Sequence, residues 1–276
     1  MFVTGVGAAI GRQLRRTLVQ LGILFSKIEM TFYRNKLKVK NCTFTITMEQ
    51  KQLLTTARLT GFWYLLLAVS GIMGFMVFHP QVYVNNDPDK TLSNLMNHAS
   101  NARMRLLFEL VIIVSQALAA VWFYKLFSSI NNWAASVLCI WGTVNSVVIM
   151  VSAISMNAAI DIAQSSQNIQ EKTVVIQLLG NLIANSWSIG GLFFGLWLFP
   201  MGYIIISSKR MPVALGYVLL AGGIGYLLQT FLNAAGVQHK LLNFLVMPAT
   251  LGELWIVGYL LTFGIRPSLN SNSSHE

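Results

Sequence analysis

Residues 106–127 read LLFELVIIVSQALAAVWFYKLF, 22 residues with two charges, Glu109 and Lys125. At about 1.5 Å of rise per residue, a helix of this length crosses the roughly 30 Å of hydrocarbon in a bilayer. A buried strand is much shorter, and a soluble helix of this length keeps a polar face. The stretch therefore predicts a membrane-spanning α-helix. Working outward, the same reading applies to 59–78, 133–153, 187–206, 213–232 and 244–265. All of these contain Gly, Ser, Thr or Pro, which in lipid lets helices approach closely and does not argue against helix.

Composition agrees with that reading. Hydrophobic residues make up 55% of the chain and charged residues 10%, against about 25% charged in soluble proteins. The expected fold is an all-α, polytopic transmembrane bundle of six helices. A short amphipathic helix on the membrane surface is expected within 154–186, where Val174, Val175, Leu178, Leu179, Leu182 and Ile183 recur at helical spacing. Trp63, Trp122, Trp133 and Trp187 stand near span ends, as interfacial anchors do. The membrane domain covers 48–266, and the polar tail 267–276 is expected to be disordered.

The net charge of +10 does not point to nucleic acid, because eight of the 19 Lys and Arg fall in residues 1–47, opposed by Glu29 alone. That basic leader has three readings. It is an arm attracted to anionic lipid, an Arg-rich targeting segment, or no part of the mature protein. The last is favoured, since Met48-Glu49-Gln50-Lys51 leads directly into the first span. Within the leader, Thr4-Gly5-Val6-Gly7-Ala8-Ala9-Ile10-Gly11 is similar to the glycine-rich turn of short-chain dehydrogenases, with Ala9 where the middle glycine belongs. Such a turn holds a pyrophosphate only inside a complete βαβ unit. No strand-forming run precedes it, so no cofactor is expected. Cys42 and Cys139 form no paired motif.

Orientation follows from Lys and Arg at the span ends. With the N-terminus inside, Lys51, Arg58, Lys125, Lys209, Arg210 and Arg266 lie inside, and Lys90, Arg103, Arg105, Lys172 and Lys240 outside. The leader tips this near balance, and the short Ser207-Ser208-Lys209-Arg210 turn agrees with it. Both termini are therefore expected in the cytoplasm.

From Ala57 to Arg266 the chain resembles a family of bacterial membrane proteins, domain of unknown function 4386. The residues that carry the resemblance are Ala57-Arg58-Leu59-Thr60-Gly61 with Tyr64, then Phe194-Gly195-Leu196, Leu198, Gly202 and Tyr203. Pro212, Leu215-Gly216, Gly222 and Gly225-Tyr226 follow, and the last span adds Pro248-Ala249, Leu251-Gly252-Glu253 and Trp255. The resemblance implies a bundle of about six helices in a bacterial inner membrane, and no reaction.

Ionisable groups within a bilayer cost about 3 kcal/mol each on insertion scales, so each calls for a role. Arg105 and Glu109 are four residues apart and are expected to form an interfacial ion pair. Glu253 and Asn145 lie at similar depths, about 13 and 12 Å into their spans. They are the candidate intramembrane polar centre, where a protonated carboxyl could donate to the amide. Pro248 and Pro200 each remove a helix hydrogen bond, so both are expected as helix breaks beside that centre. His79, His98 and His239 fall on the expected outer side with no metal-binding spacing, and no metal is assigned. Gly191, Gly195 and the Gly222-Gly223-x-Gly225 cluster are expected at close helix contacts.

The leading functional expectation is a transporter or sensor for a small molecule or ion, centred on Glu253 and Asn145. Two alternatives remain: a membrane enzyme at the outer face using His79, His98 or Asp87, and a non-catalytic assembly partner held by its glycine faces. No catalytic signature is visible, so the chain leans away from being an enzyme. The lipid bilayer is the expected partner and nucleic acid is not, and the glycine faces would also suit a homo-oligomer.

Overall fold

The computed structural model describes residues 50–84, 86–237 and 239–266. The basic leader, its glycine-rich turn, the Met48 start and the polar tail lie outside the described residues. The chain divides into a unit Met1–Gln52, of which only 50–52 are described, and a unit Leu53–Glu276. All contacts below belong to the second unit.

Among the described residues six helices are long and apolar enough to cross a membrane: α1 (Gln50–Val82), α3 (Ala99–Phe127), α4 (Asn132–Gln164), α5 (Ile169–Ser208), α6 (Val213–Ala234) and α7 (Lys240–Thr262). A short helix, α2 (Pro88–Asn97), lies between the first two. No strand occurs among the described residues. The chain is an all-α, multi-pass membrane protein.

The pattern of exposure is inverted relative to a soluble bundle. On α3, Leu107, Val114 and Val121 face outward while Arg105, Glu109 and Gln116 are buried. On α4, Ile140, Val147 and Ile154 face outward, with Asn145 and Ser152 inside. Heptad-like spacing keeps each set on one face. Lipid solvates the apolar stripe, so the polar groups have only each other to pair with.

The helix ends are set by local chemistry. Asp87 caps α2 by accepting from the Lys90 amide at 2.9 Å, with Pro88 in the first turn. Asn131 accepts from the Ala134 amide at 3.0 Å to start α4, and Asn168 accepts from the Gln170 amide at 3.2 Å to start α5. Lys172 sits at the far end of α4, donating to the Ala163 carbonyl at 3.2 Å and the Ser165 carbonyl at 2.5 Å. A cation there complements the negative helix terminus.

Two expectations need correction. The segment with Val174 and Ile183 is no separate surface helix; it is the first part of α5, which runs on without a break to Ser208. Leu92 and Leu95 of α2, Met156 and Ile160 of α4, and Ile176 and Ile183 of α5 pack into one apolar cluster. That tertiary burial takes the stripe that a membrane surface would otherwise cover, and the short amphipathic helix is α2 instead. Pro200 lies inside continuous α5 and does not break it. It removes a single backbone bond, while Gly195 and Gly202 press α5 against the Gly223 and Gly216 carbonyls of α6. Pro248, by contrast, sits where α7 changes from a 3-10 start (Lys240–Val246) to an α-helix (Met247–Thr262).

Candidate functional site

The first polar centre grows from the end of α1. Its residues Ile72–Phe78 form a π-helix, whose wider turn re-aims the side chains that follow. Phe75 and His79 face α3 and meet Arg105. The Arg105 guanidinium lies 5.3 Å from the Phe75 ring centre and 6.0 Å from that of Tyr83. Its Nε donates to His79 Nδ1 at 3.3 Å, which leaves the imidazole proton on Nε2.

Arg105 and Glu109 pair as their spacing suggests, at 2.7 Å, but each is only 1% exposed. Neighbouring helices screen the pair from its surroundings. Glu109 Oε1 also accepts from the Ser152 hydroxyl at 2.5 Å and from the Trp187 indole at 3.1 Å. The same indole N–H is 3.1 Å from the Ser152 oxygen. Donors from α3, α4 and α5 thus converge on one carboxylate, the condition under which a buried charge is tolerated. Trp187 is no boundary anchor; it is tied into the interior.

A cavity of about 580 Å³ opens above this network, lined by Phe75, His79, Tyr83, Asp87, Gln177 and Trp187 among others. The Tyr83 hydroxyl is buried there with no hydrogen-bond partner among the described residues. Burial pushes the Tyr83 phenol up to about 12, so it remains an O–H donor at neutral pH.

The second centre surrounds Glu253. Tyr64 of α1 donates to Glu253 Oε1 at 2.7 Å. Among the described residues the Trp197 indole N–H has no hydrogen-bond partner, but it and Tyr226 of α6 lie close enough to act on that carboxyl. A smaller cavity of about 270 Å³ reaches Glu253, lined by Tyr64, Leu67, Ile72, Trp187 and Phe194. Trp187 lines both cavities. Its ring is wedged between Phe75, 4.0 Å away by centroid, and Phe194, 6.5 Å away.

The expected contact between Asn145 and Glu253 does not form. Trp197 fills the space between them: its Cε3 would lie 3.2 Å from a Cβ on Gly142, one turn before Asn145 in α4. Asn145 is instead fully buried with Gln116, and neither amide has a partner among the described residues. Unpaired buried groups cost about 1–3 kcal/mol each, so Asn145 and Gln116 are held in the interior at the expense of stability.

The remaining candidates scatter. His98 is the exposed cap after α2, and exposed His239 accepts from the Leu241 amide. Among the described residues no three His, Cys, Asp or Glu side chains are grouped to hold a metal. Sequence reasoning missed Ser152 and Tyr83; the one signal for Ser152 was its place seven residues beyond Asn145, on the same face of the helix.

No curated protein and no solved structure matches the chain. The model of a family described as a domain of unknown function, DUF4386, matches residues 59–264, and the chain belongs to that family.

Proposed function

We propose that the protein is a transporter or sensor of a small molecule or ion, working through the interior of its bundle. The observation that carries this reading is the pair of cavities that share Trp187 in their walls, the smaller of which reaches Glu253 and its hydrogen bond from Tyr64. A carboxyl held by one neutral hydroxyl rather than by a cation can release and regain a proton as the cavity gains or loses water. The buried Arg105–Glu109 pair is already satisfied and serves as a fixed pillar behind the larger cavity. With both termini in the cytoplasm, that cavity opens outward.

The test is proton movement into liposomes holding the purified protein, driven by a potassium diffusion potential and read by an internal pH dye. Wild type is expected to exceed protein-free liposomes. Glu253→Gln, which keeps the shape and loses the titratable group, is expected to fall to their level. Equal rates for wild type and Glu253→Gln would remove Glu253 from the mechanism.

A further inference from the structure

Charge is unevenly placed in the smaller cavity. Among the described residues that line it, Glu253 alone carries a carboxyl, and none is Lys, Arg or His. Leu67, Ile72, Ile112, Phe194 and Leu254 make most of the remaining wall apolar. Its volume of about 270 Å³ is just below the usual range for drug-sized ligands and has room for a single ring with a short arm.

The carboxyl is only half engaged. Glu253 Oε1 accepts from Tyr64 at 2.7 Å. Oε2 accepts no hydrogen bond among the described residues, yet it is not among their buried, unpartnered atoms. Glu253 is partly buried and lines the cavity, so Oε2 keeps surface where the side chain meets open space. Its polar neighbours are the Tyr64 and Tyr226 phenols and the Trp197 indole, which bring no positive charge. The cation of the other centre, Arg105, is committed to Glu109.

Three kinds of ligand meet this site differently. An anion finds no cation and lies against a carboxyl. An uncharged apolar molecule fills the walls but leaves Oε2 without a partner. A cation with an apolar body satisfies both, since a carboxylate in apolar surroundings is stable only when paired. We propose that the smaller cavity binds a small organic ammonium, whose N–H donates to Glu253 Oε2 while its ring-sized body lies against the apolar wall. The carboxyl holds either its proton or this cation, and one displaces the other. Making the cation the transported or sensed ligand rests on the function proposed above; the binding itself does not.

The test uses the full chain in lipid nanodiscs and three probes of one shape: benzylammonium, its uncharged isostere ethylbenzene, and benzoate. Binding is followed by titration calorimetry, with empty nanodiscs subtracted. Benzylammonium is expected to bind saturably and more tightly than either other probe. Glu253→Gln is expected to weaken benzylammonium about tenfold, the loss of a charged partner, and to leave ethylbenzene unchanged. Gly71→Leu is the second variant. Gly71 lies on helical backbone seven residues beyond Tyr64, on the same face, and no atom lies within 4 Å of its added carbon. The leucine should fill the cavity and weaken both benzylammonium and ethylbenzene, with thermal stability equal to wild type or higher. Benzylammonium uptake equal to that of empty nanodiscs, tighter binding of ethylbenzene or benzoate, or wild-type benzylammonium affinity in either variant would overturn the proposal. Proton movement is measured without these probes, so either result can fail while the other stands.

Discussion

Arg105→Met is expected to destabilise the bundle by about 3–5 kcal/mol, the usual cost of leaving one partner of a buried ion pair alone. Both side chains are 1% exposed, so water cannot compensate Glu109 once the guanidinium is gone. Ser152 and Trp187 still donate to Oε1, but Oε2 loses the 2.7 Å bond from Arg105. His79 loses its donor at the same time. The double variant Arg105→Met/Glu109→Leu removes the charge along with its partner and is expected to recover most of the loss. Thermal unfolding in mild detergent, followed by size-exclusion chromatography, checks both. Equal losses in the single and double variants would show that the two charges are not coupled.

Gly222→Val is the second large effect. A Cβ at Gly222 would strike the Ala249 backbone of α7, and one at Gly225 the Leu245 carbonyl. Backbone cannot swing aside as a side chain does, so α6 and α7 must separate. Overpacking of this kind costs about 1–3 kcal/mol and sometimes more. The separation would also tilt Glu253, which α7 carries four residues beyond Ala249, away from Tyr64. Gly258→Ala is the control: nothing lies within 4 Å of the added carbon. There the gain in helix propensity, about 1 kcal/mol at most, should leave stability equal or slightly raised. The same thermal measurement separates the two variants, and a Gly222→Val protein as stable as wild type would contradict the packing described.

The contrast between these sites shows what was legible in the amino-acid order. Hydrocarbon thickness fixes the length of a span, so six apolar runs near 20 residues were enough to place six helices. Counting residues also gives depth along a span; Asn145 is fully buried and Glu253 partly so. Counting does not give rotation or neighbours. Glu253 found Tyr64, 189 residues away, and Glu109 found Ser152 and Trp187, 43 and 78 residues away. Those meetings depend on how whole helices turn about their axes, which single-chain periodicity leaves open when lipid hides the usual apolar signal.

The polar stretch 154–186 was misread for a related reason. Residues 154–164 and 169–186 extend α4 and α5 beyond the apolar spans, where hydropathy falls but helix persists. Only the Ser165–Asn168 corner interrupts them, and Lys172 folds back to hold that corner. The same extension builds one wall of the larger cavity, from Ile176 to Trp187. An expected surface helix thus became part of the site.

The central claim is that water and ligand reach Glu253 past Trp187. The most direct measurement is the rate at which a water-soluble methanethiosulfonate reagent modifies Glu253→Cys, in a Cys42→Ser/Cys139→Ser background, with and without Trp187→Ala. The account predicts measurable modification with Trp187 present and a severalfold faster rate once it is replaced. A thiol that stays unreactive in both proteins would mean that the Glu253 centre is sealed packing, and the path through the bundle would be wrong.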